Sequence, residues 1–570
     1  MKTIQRIWQK GWARWAVLIL IVASCYVQVL DAPFIWDDLE MVEGNALIRS
    51  WGNLSEVFQS SAFGGRASKS GFYRPIQIAT YFFDYHFWGL NPTGFHLTNL
   101  IIHLVNVGLL FMLLPFFGFS ALASWVIALL FGLHPLHIES VSYISGRGDV
   151  FFLTFVLGSF LSFFKGLKGH RVWFLSAVVL FLISLITKEN CITYPIVLLS
   201  FCWLNHDRLK GKWPWGTVAI LNLSAVAFVL YRLWPLGSGA GGTLSFIARA
   251  SFFERVMTVP YILITYLKLF LVPYPLHMEY HYVEQSVFSP YIWIGLPVLA
   301  ALVFLSVKKL ENPRQTLFFW GWFFLGLGPV YQVGLALAST IREHWMYFPS
   351  IGLFMLAAKS SLAVRARWRP HVTNRVLAGL IGVSIIYLGG LTWHRNADWR
   401  DPIRLYGHDV SVEPKSFVLH NNLGYVYYFK GDFKKAKAAF RKSIDVSPGN
   451  AYGTAYNNLG VIVEGEGDLA DAEKLYEKSI LYSSYYLAYT NLSRIYIQNN
   501  RFGDAEKLLI DALEKFPDKP QFYYYLAILN FNTGRILSAE RFLQKLEMLS
   551  PNYLQTRELL KQINQKKLQK

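Results

Sequence analysis

Trp36-Asp37-Asp38 stands just beyond the first long apolar run of the chain. Two adjacent carboxylates at a membrane exit are costly unless water or chemistry needs them. Proximity raises the apparent pKa of one member of such a pair, and burial raises it further. A carboxylate so placed can accept the proton of a hydroxyl nucleophile. It could equally bind a divalent cation, or the pair could be a helix N-cap followed by a solvated acid. A second set complements the acids: Arg74, His134, His137, Arg147, Lys188, Arg342 and His344, with Glu139 and Glu189 beside them. Positive donors of this kind suit a phosphate leaving group, where charge develops in the transition state. The run from His134 to Glu139 could suggest a metal, but Pro135 breaks helical spacing and no third His or Cys ligand is obvious. No metal ligand is assigned. Hydrogen bonding to phosphate or sugar, or plain satisfaction at an interface, are the readings left for that run.

These residues are carried by a chain of 570 residues, 54% hydrophobic and only 16% charged. A soluble chain carries about a quarter charged residues. Spans of about 20 apolar residues are predicted at 13–30, 94–115, 119–136, 149–165, 172–187, 190–205, 216–235, 289–307, 316–337, 344–363 and 376–393. Lys2, Arg6, Lys10 and Arg14 put the N-terminus in the cytoplasm. The basic loops at Lys165–Arg171, Arg208–Lys212, Lys308–Arg314 and Arg365–Arg375 all fall inside only if 253–273 makes no net crossing. That segment is therefore read as re-entrant, interfacial or half of a hairpin. About eleven spans result, with the C-terminal part outside and the acids, Arg74, the His134–Asp149 run, Lys188-Glu189 and Arg342-Glu343-His344 on one external face. The net charge of +18 is scattered over short loops, so it reads as topology and not as nucleic-acid binding. Three cysteines, Cys25, Cys191 and Cys202, all lie in apolar stretches and suggest no disulfide framework. Val22-Ala23-Ser24-Cys25 could pass for a lipoprotein cleavage box, but the first span reads as a retained anchor.

From residue 417 the sequence repeats at a period of about 34 residues, the tetratricopeptide length. Leu423-Gly424, Leu459-Gly460, Leu492-Ser493 and Leu526-Ala527 share one phase, and Ala436, Ala472, Ala505 and Ala539 another. About four units stack into a solenoid with a concave face. Asn421, Asn422, Asn457, Asn458 and Asn491 could hydrogen-bond an extended peptide there, or they only cap and space helices. The domain reading is 1–399 for the membrane part, with an external loop at 31–93, and 400–570 for the repeats.

Several stretches, in order, carry a resemblance. They are Trp36-Asp37-Asp38, Tyr73-Arg74-Pro75, Gly94-Phe95-His96 with Asn99 and His103, and His134 to Glu139. Gly146-Arg147 with Asp149, Thr187-Lys188-Glu189 and Tyr347-Phe348-Pro349-Ser350 complete the set. Together with the repeat tail they resemble the transmembrane and tetratricopeptide-repeat protein O-mannosyltransferases, multispanning glycosyltransferases of the GT-C type. The resemblance implies an all-α polytopic bundle followed by an α-solenoid. It also implies transfer of a sugar, typically mannose, from a polyprenyl phosphate to Ser or Thr hydroxyls with inversion. Asp37 or Asp38 is then the base, and Arg74, His134, His137, Glu139, Arg147, Lys188, Glu189, Arg342 and His344 surround the donor phosphate and sugar. Asn422, Asn458 and Asn491 would hold a protein acceptor on the repeats. No cofactor is assigned beyond the donor substrate; a divalent cation stays open. One departure stands out: the family shows Glu-Arg before its Tyr-x-Pro-Ser stretch, whereas Glu343 is followed here by His344, with Arg342 two residues before that position. A membrane scaffold without catalysis, and a GT-C enzyme acting on glycan or lipid, are the alternative readings. The absent cysteine framework and short tail lean towards a bacterial membrane.

Overall fold

The computed structural model describes residues 11–59, 73–209, 214–233, 244–334, 336–367, 370–550, 553 and 556–568. They form helices joined by loops; one isolated antiparallel bridge, Tyr280 to Ile341, is the extended pairing among them. The chain divides into two units, the first ending at Glu413 and the second running on from Pro414.

Among the described residues of the first unit five helices are long and apolar enough to cross a membrane: Gly11–Asp31, Pro92–Phe117, Ile144–Leu167, Tyr291–Lys309 and Asn374–Trp399. A sixth is available if the pair Ala121–Gly132 and Pro135–Ser142, bent by 57°, counts as one span. The bend has a local cause. Pro135 holds His134 in extended backbone and supplies no amide hydrogen, and the His134 ring caps Leu136 N. The expected eleven full-length spans are not reproduced by this criterion. Val172–Leu185 has 14 residues, which rise only about 21 Å, short of a hydrocarbon core of about 30 Å. The expected span 316–337 stops as a helix at Gly326, before Gly328-Pro329, and 344–363 becomes helical only at Ser350, after Pro349. The segment 253–273 is one helix, Phe252–Leu271, opened by a reciprocal Ser251–Glu254 capping box.

The division between units falls beyond the expected boundary near Trp399. Helix Pro402–Val412 belongs to the first unit because Asp409 Oδ2 accepts the Met278 amide at 2.9 Å and Glu413 Oε2 accepts that of His281 at 3.1 Å. Two buried guanidinium bonds reinforce it, Arg395 to Asp409 at 2.7 Å and to Asp398 at 3.2 Å.

The second unit is four helix pairs: Phe417–Phe429 with Phe433–Val446, Gly453–Gly465 with Leu469–Ser483, Tyr486–Gln498 with Phe502–Lys515, and Pro520–Asn532 with Ile536–Leu549. Helix Thr556–Leu568 follows them. The pairs approach closely because their contact positions are small: Ala436, Ala472, Ala505 and Ala539 are wholly buried. A Cβ on Gly424 or Gly460 would reach the ring of Phe440 or Tyr476 at 2.7 or 2.8 Å. Three of the four intra-pair turns use a glycine with positive φ, and the third uses Asn500 at φ 57°.

Candidate active site

The stretch around the acidic pair is held from both sides. Asp38 is fully buried. Its Oδ2 accepts the Ile35 amide at 3.2 Å, and its Oδ1 accepts the Ser145 amide at 2.8 Å and the Ser145 hydroxyl at 2.5 Å. The Asp37 amide donates to Tyr143 Oη at 3.0 Å. Trp36 sits at φ 52°, an unusual conformation for a bulky residue, which these anchors on either side of it enforce. The two carboxylates therefore have different surroundings. Asp38 is a structural bracket between the 35–38 turn and the 143–146 turn. The Asp37 side chain is partly exposed.

Arg342 lies over the indole of Trp36, its guanidinium carbon 4.9 Å from the ring centroid. Its Nη2 donates to Glu279 Oε1 at 2.7 Å, and its Nη1 stands 3.7 Å from Glu139 Oε1. Glu139 gathers the departure from the family pattern around itself. Its Oε2 accepts the His344 amide at 3.0 Å, and His344 Nδ1 stands 2.8 Å from Oε1, a contact by distance without good hydrogen-bond direction. Arg342 and His344 thus share one carboxylate, and Arg342 is the one beside the acidic pair. Arg74 donates through Nε and Nη2 to Glu189 Oε2 at 3.2 and 3.1 Å. Burial pushes Asp37 above the usual carboxylate range; the Arg342 guanidinium, the Tyr143 hydroxyl and the Arg74 guanidinium pull it back, and Glu279 pushes it up again. Burial pushes Asp38 up to about 7 against the pull of its three donors. Asp37, Arg342, Arg74, Glu139, Glu189 and His344 thus form one polar region.

The other predicted site residues are engaged inside the bundle. Arg147 is wholly buried, paired with Asp84 at 2.5 Å and donating to Asn99 Oδ1, Thr80 Oγ1 and the Phe95 carbonyl. Lys188 Nζ donates to Asp149 Oδ2 at 2.6 Å, and both side chains are buried. His134 Nε2 meets the Phe270 carbonyl at 3.0 Å. His137 bridges the Phe131 carbonyl and Ser350 Oγ at 2.7 and 3.1 Å. In this structure these groups are buried and each has a protein partner at a helix end. Among the described residues no group of three His, Cys, Asp or Glu has metal-holding geometry. Both Asp38 oxygens are taken up by protein donors.

Sequence reasoning missed Tyr143, Ser145 and Glu279. Glu279 sits in a strap, residues 275–284, a loop in which His277, Glu279 and His281 recur at every second position. That alternation was the available signal. Gly146 allows the 143–146 turn to fold against the preceding helix: a Cβ there would come 2.4 Å from the Glu139 carbonyl oxygen. Gly146→Ala is expected to cost about 1–3 kcal/mol through this overlap and to loosen Ser145 from Asp38. A thermal midpoint equal to wild type would refute it.

In the second unit the predicted asparagines form a ladder across successive first helices. Asn458 Nδ2 donates to Asn421 Oδ1 and Asn491 Nδ2 to Asn457 Oδ1, both at 3.0 Å. Asn422 Nδ2 is buried with no hydrogen-bond acceptor among the described residues.

Apolar helices whose connecting loops gather carboxylates and guanidiniums, continued by paired-helix repeats, define an integral-membrane helical protein with a tetratricopeptide solenoid. The family description "Tetratricopeptide repeat" matches residues 416–480, 463–523 and 496–563. Over most of its length the chain is similar to proteins named protein O-mannosyl-transferase. It is 25% identical to TMTC3 of Mus musculus over 480 residues, covering 76% of this chain and 51% of that protein. It is 25% identical to F38B6.6 of Caenorhabditis elegans over 453 residues, covering 76% and 63%. It is 24% identical to TMTC4 of Homo sapiens over 475 residues, covering 72% and 63%. The chain spans between about half and two thirds of the length of these relatives. The homologues bear the family name to which the sequence motifs pointed.

Proposed function

We propose that this chain is an integral-membrane O-mannosyltransferase. It moves a sugar, mannose by the name of its relatives, from a polyprenyl-phosphate donor to Ser or Thr hydroxyls of proteins docked on the repeats. The observation that carries this reading is the asymmetry of the acidic pair. Asp38 is buried with a donor on each oxygen, whereas Asp37 is partly exposed beside Arg342 and Arg74. A partly exposed carboxylate next to cations is what an inverting transfer needs: a base for the acceptor hydroxyl and positive charge for the departing phosphate. Asp37 takes the hydroxyl proton as the oxygen attacks the anomeric carbon, and the sugar–phosphate C–O bond breaks on the opposite face. Arg342 and Arg74 stabilise the phosphate that leaves. The basic N-terminal segment, Lys2, Arg6, Lys10 and Arg14, supports a cytoplasmic N-terminus and a site on the extracytoplasmic side. The asparagine ladder supplies amide groups at a regular spacing for an extended acceptor backbone.

The test is transfer of labelled mannose from polyprenyl-phosphate mannose to a Ser/Thr-containing peptide by the full chain in nanodiscs. Labelled peptide is expected with wild type. No transfer to any peptide, with label appearing in glycan or lipid instead, would replace protein by a different acceptor class. The double variant Asn458→Ala, Asn491→Ala is expected to raise the peptide KM about tenfold, since each lost hydrogen bond is worth about 0.5–1.5 kcal/mol, with kcat retained. An unchanged KM would remove the ladder from acceptor binding.

A further inference from the structure

Arg342 reaches its place over Trp36 through a segment that belongs to no helix. The strap 275–284 has its backbone amides taken up by side chains from three other parts of the first unit. His277 N donates to Glu343 Oε1 at 2.6 Å and Met278 N to Asp409 Oδ2 at 2.9 Å. Tyr280 N donates to Ser339 Oγ at 3.1 Å, and His281 N to Glu413 Oε2 at 3.1 Å. Tyr282 N reaches Thr340 Oγ1 at 3.3 Å and Glu284 N reaches Thr258 Oγ1 at 3.0 Å. A loop satisfied at so many amides is fixed in space, since each of these donors would otherwise be orphaned.

The fixed strap presents one carboxylate. Glu279 is 1% exposed. Its Oε1 accepts from Arg342 Nη2 at 2.7 Å, and its Oε2 lies 3.1 Å from His281 Nε2. One oxygen thus holds the guanidinium and the other is oriented by a neighbour two residues along the same strap. The guanidinium has a flat surface on Trp36, an acid on the strap and a second acid, Glu139, at 3.7 Å. That fixes the position of a side chain with high rotamer freedom, which is what a transition-state donor requires.

We propose that Glu279, held by the pinned strap and oriented by His281, is a positioning residue that fixes Arg342 over Trp36 beside Asp37. This rests on the transferase reading above. Glu279 does not touch the substrate; it acts through Arg342. It also sets the charge around Asp37, which is faced by Arg342, Arg74, Tyr143, Asp38 and Glu279. Neutralising Glu279 removes a negative charge that favours the protonated form of Asp37.

The test uses the full chain in nanodiscs with polyprenyl-phosphate mannose and a Ser/Thr-containing peptide. Glu279→Ala, which removes the acceptor for Arg342, is expected to lower kcat about 100-fold, the scale of a small misplacement at a reacting centre. Glu279→Gln keeps an oxygen for Arg342 and loses the charge. It is expected to retain kcat within about tenfold and to move the acidic limb of kcat/KM to lower pH. A cryo-EM map of Glu279→Ala is expected to show Arg342 displaced from Trp36. Wild-type kcat in the Ala variant, an acidic limb unmoved in the Gln variant, or Arg342 still on Trp36 in the map would each overturn the proposal. If wild type transfers no sugar, the function reading fails, while the map still decides the positioning of Arg342.

Discussion

Asp37→Asn is expected to lower kcat for sugar transfer about 1,000-fold, within the range that a positioned general base contributes, and to leave the thermal midpoint close to wild type. Asp38→Asn is expected to do the reverse in kind. Its amide nitrogen would confront one of the donors that now point at a carboxylate oxygen, Ile35 N or the Ser145 amide and hydroxyl. A buried polar mismatch of that sort costs about 1–3 kcal/mol. Activity then falls through loosened positioning of its neighbour. Measuring transfer and melting on both variants separates the roles. Full transfer by Asp37→Asn would end the assignment of the base, and a stable, inactive Asp38→Asn would transfer the role to Asp38.

The same assignment has a pH signature. A base works as its carboxylate, so kcat/KM falls as pH drops through the Asp37 pKa, which burial raises. The Arg342 guanidinium favours the carboxylate and pulls that value down. Removing it in Arg342→Gln therefore lifts the Asp37 pKa, and the acidic limb moves to higher pH. The shift is opposite in sign to that expected for Glu279→Gln, because the two neighbours carry opposite charge.

What the sequence reveals and what it hides divide along contact distance. The repeat array is legible because Ala436, Ala472, Ala505 and Ala539 recur in one phase, and each makes its contact with a neighbour in the chain. The acidic pair is legible because carboxylates at the end of an apolar run are conspicuous. The anchoring of the strap is not, since its partners Glu343, Asp409 and Glu413 lie far along the chain. The boundary between units shifts for the same reason. Apolar composition and helix length part where the apolar run continues past a structural stop, as at Gly326 and before Ser350. Charged residues inside the apolar run invite a functional reading, yet a charge in such surroundings first needs a partner. Asp84 is the partner of Arg147 that the loop-by-loop reading overlooked, and Asp149, read there beside Arg147, is the partner of Lys188.

Arg147 gives the sharpest test of that last point. Its guanidinium meets Asp84 at 2.5 Å, Asn99 Oδ1 at 2.7 Å, the Phe95 carbonyl at 2.8 Å and Thr80 Oγ1 at 3.2 Å, with its carbon 4.6 Å from the Tyr81 ring centroid. Arg147→Ala would leave Asp84 as a buried charge with only the Thr98 hydroxyl, at 2.6 Å, in place. Breaking a buried pair on one side costs about 3–5 kcal/mol, a large share of the stability of a domain. The expected result is a sharply lower melting midpoint and poor recovery from membranes, with loss of transfer following from loss of fold. Replacing both partners changes the balance, because a well-packed apolar pair can match a buried ion pair. Arg147→Met with Asp84→Leu is therefore expected to recover part of the midpoint lost by Arg147→Ala. The competing assignment, Arg147 as a donor-phosphate ligand, predicts the opposite pattern: a normal midpoint in Arg147→Ala, a raised donor KM, and no rescue by the second change. Guanidinium groups at helix ends in a membrane protein can thus be sorted by one question, whether their hydrogen bonds are complete before any substrate arrives. For Arg147 all three nitrogens already have a protein partner; Arg342 stands at the polar region beside Asp37.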